Sequence, residues 1–201
     1  MVADGTTAWR GRQAPIRIGA VVALALAIAF VVWLVVRGND NSSTTSKTTT
    51  PPPGKTTPKP RETIRAATPR SLRALARAAG HPIYWAGAQP KVKYELTQVT
   101  DGRIYIRYLP KDVKIGDRRA AYLIVATYPV PNAYKAVRTA AKESGAVTFR
   151  TPRGGLAVYN QSAATNVYLA YPGSKYQIEV FDPNPSRARQ LVRSGTVRPI
   201  A

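Results

Sequence analysis

The chain has 201 residues, 44% of them apolar, enough for one ordinary domain plus additional segments. Thirty Lys+Arg against ten Asp+Glu give a formal charge of +20, which implies an acidic partner, an acidic surface nearby or a solubility device. The lack of cysteine excludes disulfides, thiol catalysis and thiolate metal sites, and a single histidine excludes a multi-histidine metal centre.

Arg10, Arg12 and Arg17 precede an uncharged, proline-free run from Ile18 to Val36, IGAVVALALAIAFVVWLVV. At about 1.5 Å per residue it reaches roughly 28 Å, close to the ~30 Å hydrocarbon core of a bilayer. Basic residues in the short preceding tail put the N-terminus in the cytoplasm. The reading is a cytoplasmic tail at 1–15 and a transmembrane helix at 16–37, a single-pass signal-anchor in a cell membrane that carries the rest outside. A cleaved signal peptide is the alternative. Its apolar region would be shorter, and here the small-x-small sites around Ala27 and Ala29 are followed by more apolar residues, FVVWLVV.

Residues 38–62, GNDNSSTTSKTTTPPPGKTTPKPRE, hold no aromatic or aliphatic side chain and are expected to form a disordered linker. Their prolines favour extended polyproline II, long enough to hold a domain up to ~75 Å from the bilayer. Ala, Arg, Val and Pro usage suits a GC-rich bacterium, so the expected surroundings are a bacterial cell envelope.

Residues 63–201 read as a basic extracytoplasmic α+β domain. The segment 68–80, TPRSLRALARAAG, opens with Thr68 as N-cap and Pro69 at the first helical position, and closes on Gly80. Leu72, Leu75, Ala76 and Ala79 share one face of this helix; Arg70, Arg73 and Arg77 share the other. A hairpin follows, KYELTQV–TDGR–IYIRYL, turning at Asp101-Gly102. A two-residue loop sets Val99 opposite Ile104 and Thr97 opposite Ile106. It places Arg103, Tyr105 and Arg107 together on the other face, across from Gln98 and Leu96.

A lysine-rich loop, PKDVKIGDRR, leads to the strand AAYLIVATY. PNAYKAVRTAAKESG reads as a second helix ending at Gly145. Strands are expected at AVTFR, GLAVYN, NVYLAY and KYQIEVF, with Arg153-Gly154-Gly155 and Pro172-Gly173-Ser174 as turns. PNPSRARQLVRSG forms a third helix, capped near Asn184 or Ser186, and TVRPI closes as a strand. The expectation is an antiparallel, curved β-sheet with about three helices packed on one face. Glycines 80, 145 and 195 after the helices suggest two divergent helix-plus-four-strand units. Helix–glycine–strand is also common punctuation, so one unrepeated sheet is the alternative.

No catalytic constellation stands out. His81 follows a helix at Gly80-His81-Pro82, where histidine commonly binds the last carbonyls, and a catalytic role for it is the weaker reading. No G-x-S-x-G elbow accompanies it. Gly154-Gly155 precedes a strand rather than opening a helix, so it reads as a turn and not a phosphate cradle. No metal site or cofactor is expected. Beyond residue 62 there are 22 Lys+Arg and seven Asp+Glu, a surplus of +15. Arg103, Tyr105 and Arg107 on one strand face, with Lys111, Lys114, Arg118 and Arg119 in the following loop, are the candidate binding residues for an anion. The expected function is non-enzymatic binding of anionic envelope components, either cell-wall polymer or lipid headgroups. An accessory subunit with a membrane-protein partner, and a hydrolase using His81, are the alternatives. Nucleic acid would suit this charge in a cytosolic domain, but the membrane span argues against it.

Overall fold

The strands of this domain carry apolar side chains on alternating and, in the middle, on successive positions, which calls for a sheet covered on both sides. The computed structural model of the chain describes residues 60–201. The expected tail, membrane helix and nearly all of the linker lie outside the described residues. Among the described residues no helix is long and apolar enough to cross a membrane.

The elements run β1 (Glu62–Ala67), α1 (Pro69–Ala79), β2 (Tyr84–Trp85), β3 (Val92–Val99), β4 (Ile104–Pro110), β5 (Ile124–Pro129), α2 (Ala133–Ala140), β6 (Ala146–Arg150), β7 (Leu156–Asn160), β8 (Asn166–Ala170), β9 (Tyr176–Phe181), α3 (Pro185–Arg193) and β10 (Arg198–Pro199). Eight strands form one antiparallel sheet in the order β1-β3-β4-β5-β9-β8-β7-β6. A separate ribbon pairs β10 with β2. The α+β class, a large antiparallel sheet with three helices, matches the sequence reading.

The helices do not share one face. Leu96, Ile106, Val125, Val167, Leu169, Ile178 and Val180 point to the side that packs with Leu72 of α1, Ala188 and Val192 of α3, and Ile83 and Ile200 beside the ribbon. The intervening residues Ala126, Tyr128, Val158, Tyr168 and Ala170 point the other way and pack against Ala133, Val137 and Ala140 of α2. The expected one-sided arrangement is therefore corrected. In β5 both Val125 and Ala126 are buried, as are Leu169 and Ala170 in β8, so each side of the sheet centre needs a cover.

The expected repeat is corrected as well. Two four-strand halves do meet along β5 and β9, with Val125 opposite Val180. However, β2 leaves the sheet for β10, and the edge place that β6 fills in one half is filled in the other by β1, which precedes α1. With α1 and α2 on opposite faces as well, the two units have different architectures.

Local punctuation follows the sequence closely in α1 and α3. The Thr68 hydroxyl accepts from Ser71 N–H at 3.1 Å, Ser71 Oγ accepts from Thr68 N–H at 2.8 Å, and Gly80 ends the helix at φ 65°. The Asn184 side chain caps α3 by accepting from Ser186 and Arg187 N–H. Helix α2 stops earlier than expected, at Ala140. The N–H groups of Lys142 and Glu143 turn back to the carbonyls of Thr139 and Ala140, so Gly145 sits in the following turn at φ 74°.

The β3–β4 hairpin slips by one residue from the expected register. Val99 N–H donates to the Arg103 carbonyl and Gly102 N–H to the Val99 carbonyl, both at 2.9 Å. The loop therefore has three residues, Thr100, Asp101 and Gly102, with Gly102 taking the left-handed position at φ 87°. Asp101 Oδ1 accepts from Arg103 N–H and fixes the turn. Tyr105 consequently faces Thr97, and Arg107 faces Glu95.

Candidate anion-binding surface

Alternation along β4 and the residue before it puts Arg103, Tyr105 and Arg107 on the same side as α2, but each is turned toward a protein partner. Arg107 Nη1 donates to Glu95 Oε1 at 2.6 Å, and the two side chains are only 12% and 1% exposed. The same Nη1 also donates to the Asp117 carbonyl at 2.6 Å and Nη2 to the Arg119 carbonyl at 3.0 Å, while Gly116 N–H donates to Glu95 Oε2. This ion pair thus fastens the loop after β4 onto the sheet. Arg107 and Arg119 also lie over the Tyr122 ring, at 5.5 and 5.6 Å.

Arg103 pairs with Asp101 at 2.7 Å and reaches Tyr105 Oη at 3.4 Å. Burial pushes the Asp101 carboxyl up, yet the bonds from Arg103 outweigh it and hold the group below the ordinary carboxylate range. Asp117 is held down to about 2 by hydrogen bonds from Arg119. Lys111, Lys114 and Arg118 are exposed on the fastened loop. Of the seven predicted binding residues, then, Arg103, Arg107 and Arg119 each face a carboxylate, Tyr105 turns inward, and three lysine or arginine side chains stay open.

Tyr105 leads into a polar cluster that the sequence reading did not contain. Its ring meets Tyr128 edge-on at 5.7 Å. Tyr128 Oη and Asn166 Nδ2 donate to the two carboxylate oxygens of Glu179, and Tyr168 bonds the same group. Burial pushes the Glu179 carboxyl above its ordinary value, further than these bonds pull it down. Burial likewise raises the Tyr105, Tyr128 and Tyr168 phenols. Gln177, two residues before Glu179 on β9, is buried with both side-chain polar atoms unpartnered. The signal for this cluster was available: Gln177 and Glu179 interrupt the otherwise apolar β9 at alternate positions.

Open positive charge concentrates elsewhere, on α1 and α3, which pack on the same sheet face. Neither helix contains an acidic residue. No ion pair or side-chain hydrogen bond engages Arg70, Arg73 or Arg77 among the described residues, and all three are exposed. Arg193 lies over the Phe149 ring at 4.2 Å with its guanidinium edge available, while the half-buried Arg189 lies over Tyr159 at 5.1 Å and donates to Ser186 Oγ at 3.1 Å. Among the arginines of these two helices, Arg187 alone meets a carboxylate. It lies 3.3 Å from the buried Asp182 and donates to Gln89 at 3.1 Å, although the nearby Asp182 Oδ2 has no aligned hydrogen bond. The sequence assigned the α1 arginines to the polar side of an amphipathic helix and weighed no binding role for them.

His81 stacks on Tyr176 at 5.0 Å, and its Nδ1 lies 3.2 Å from the Pro82 carbonyl. Among the described residues no carboxylate orients the imidazole, and Tyr176 meets it through its ring face. A cleft of about 180 Å³ opens between Gln89, Val92, Tyr108, Tyr122, Leu123 and Arg187, too small for most organic ligands. Gly154 and Gly155 form the β6–β7 turn, as expected, with Gly154 N–H donating to Thr151 and φ 77°. Among the described residues no three His, Asp or Glu side chains gather as metal ligands. Comparison with family models, curated proteins and solved structures gives no match for this chain.

Proposed function

We infer that this chain is a single-pass membrane-anchored protein whose basic domain binds anionic components of the cell envelope, cell-wall polymer or lipid headgroups, without catalysing a reaction. The anchor rests on the apolar stretch from Ile18 to Val36 and the arginines before it. The binding role rests on one observation: Asp101, Glu95, Asp117, Asp182 and Glu179 are all engaged internally, whereas Arg70, Arg73 and Arg77 face solvent with no carboxylate opposite. Surplus charge is thereby displayed rather than cancelled, and a polyanion or charged headgroup layer meets it by summed attraction. Arginine suits phosphate and carboxylate alike because its planar fork donates to two oxygens at once.

The test is retention of the domain (residues 60–201) on isolated wall polymer and on acidic and zwitterionic liposomes. Retention on at least one anionic material at ~0.05 M salt, release by ~1 M salt and no retention on zwitterionic liposomes are expected. Binding that ignores salt, or that is equal on zwitterionic liposomes, would overturn the reading.

A further inference from the structure

We propose that β1 is a homodimerisation edge, pairing antiparallel with β1 of a second copy of this chain about a two-fold axis at Ile64. The inference is independent of the anion-binding reading. Strand β1 lies at the end of the sheet, and Glu62 to Ala66 are exposed on both of its faces. Thr100 N–H donates to the Arg61 carbonyl at 3.0 Å, so the odd-numbered residues of β1 turn their backbone groups to β3. The N–H and C=O groups of Glu62, Ile64 and Ala66 therefore point away from the sheet, in the alternation that an added antiparallel strand requires.

Side chains choose the occupant and the register. Ile64, 47% exposed, is the large apolar side chain left open among the described residues, and it sits at the centre of this edge. With the axis at Ile64, it packs on Ile64 of the second copy, Glu62 faces Ala66, and Thr63 faces Arg65. Moving the axis to Thr63 puts Arg61 opposite Arg65; moving it to Arg65 or Glu62 sets each of those charges against itself. An axis at Ala66 avoids such a clash but pairs only Arg65 to Ala67 before the strand ends. Like charges directly opposite are unfavourable, so charge pattern and strand length together leave Ile64 as the one good axis. The contact is isologous, forms about six backbone hydrogen bonds and closes at two copies.

Because the chain contains no cysteine, Ile64→Cys introduces a unique thiol. In the full chain in its membrane, a short bis-maleimide reagent is expected to link Ile64→Cys into a dimer. Thr148→Cys on β6, the opposite edge, should stay monomeric. Adding Ala66→Glu, which sets two glutamates opposite each other twice, should lower the dimer several-fold, and adding Glu62→Lys to that should restore it. Ala66→Pro removes an outward N–H and leaves the β3 bonds in place, so it should abolish the dimer while the melting curve is kept. A monomeric Ile64→Cys chain, equal linking through Thr148→Cys, or charge variants without effect would each overturn the proposal.

Discussion

Arg107 on β4 stands directly opposite Glu95 on β3, and the pair meets at 2.6 Å while both side chains are almost wholly withdrawn from water. Each partner also holds backbone of the loop between β4 and β5, so one cross-strand pair fixes both strand register and loop position. Arg107→Ala leaves Glu95 buried and uncompensated, and is expected to lower stability by about 3–5 kcal/mol. Denaturant melts should register that loss, and limited proteolysis should open new cuts between residues 111 and 119. The double replacement Glu95→Leu with Arg107→Met should recover much of the stability but not the loop protection. A wild-type melt for Arg107→Ala would remove the pair from its structural role.

The buried Glu179 makes stability depend on pH in a defined direction. Its carboxyl holds a proton more tightly when folded than when unfolded, because burial raises it. Its contribution is thus complete below the ordinary carboxylate value of about 4.3 and fades as pH rises through the higher folded value. Asp117, held at about 2, acts in reverse: its contribution is present above its ordinary 3.8 and is lost as pH falls toward 2. Glu179→Gln cannot ionise, so relative to wild type it should gain stability as pH rises from the ordinary carboxylate value of about 4.3 through the window up to the raised folded value. Urea melts at three pH values in that window provide the check, and parallel curves would contradict the assignment.

The two basic regions can be separated by charge reversal. Arg70→Glu, Arg73→Glu and Arg77→Glu together change six units of exposed charge and should abolish retention on acidic material at low salt. The same treatment of Lys111, Lys114 and Arg118 tests the loop that the sequence favoured. Each neutralised contact should also flatten the salt dependence, which retention measured across a salt series would read. Equal loss from both triple variants would make net charge, rather than the α1 surface, the determinant.

Gly154 and Gly155 adjoin in one turn yet resist replacement for different reasons. Gly154 needs its φ of 77° and has open space around it, so Gly154→Ala should cost roughly 1–2 kcal/mol, and Gly154→Asn less. A Cβ on Gly155 would stand 2.8 Å from Thr151 Oγ1 and 2.9 Å from the Tyr171 ring. Gly155→Ala should therefore cost about 1–3 kcal/mol through displaced neighbours, and Gly155→Asn more than Gly155→Ala. Thermal melts of the four variants discriminate the two mechanisms.

Features set by neighbouring residues were legible in the sequence. Thr68, Pro69 and Gly80 announced α1, Asn184 announced the start of α3, and alternating or continuous apolar runs located the strands from β3 to β9. The hairpin register was not legible, because Thr100-Asp101-Gly102 supports a three-residue loop as readily as a two-residue one. That one-residue difference hid the partner of Arg107, so the row on β4 read as an open surface rather than an internal clamp. Side choice for α2 depends on which face of β8 and β9 lacks a cover, a tertiary fact. The run Ile124 to Tyr128, apolar without strict alternation, did carry the signal that both faces are filled. Strand β1 escaped notice because Glu62 to Ala67 buries almost nothing and is held mainly by backbone pairing to β3.

The ribbon between β2 and β10 ties distant parts of the chain together, with Ile200 N–H donating to the Ile83 carbonyl at 2.8 Å. During synthesis, Tyr84 and Trp85 emerge more than a hundred residues before the strand that pairs with them. Until then that flank of the sheet is without its latch, and the fold closes only once Arg198 to Ile200 are in place.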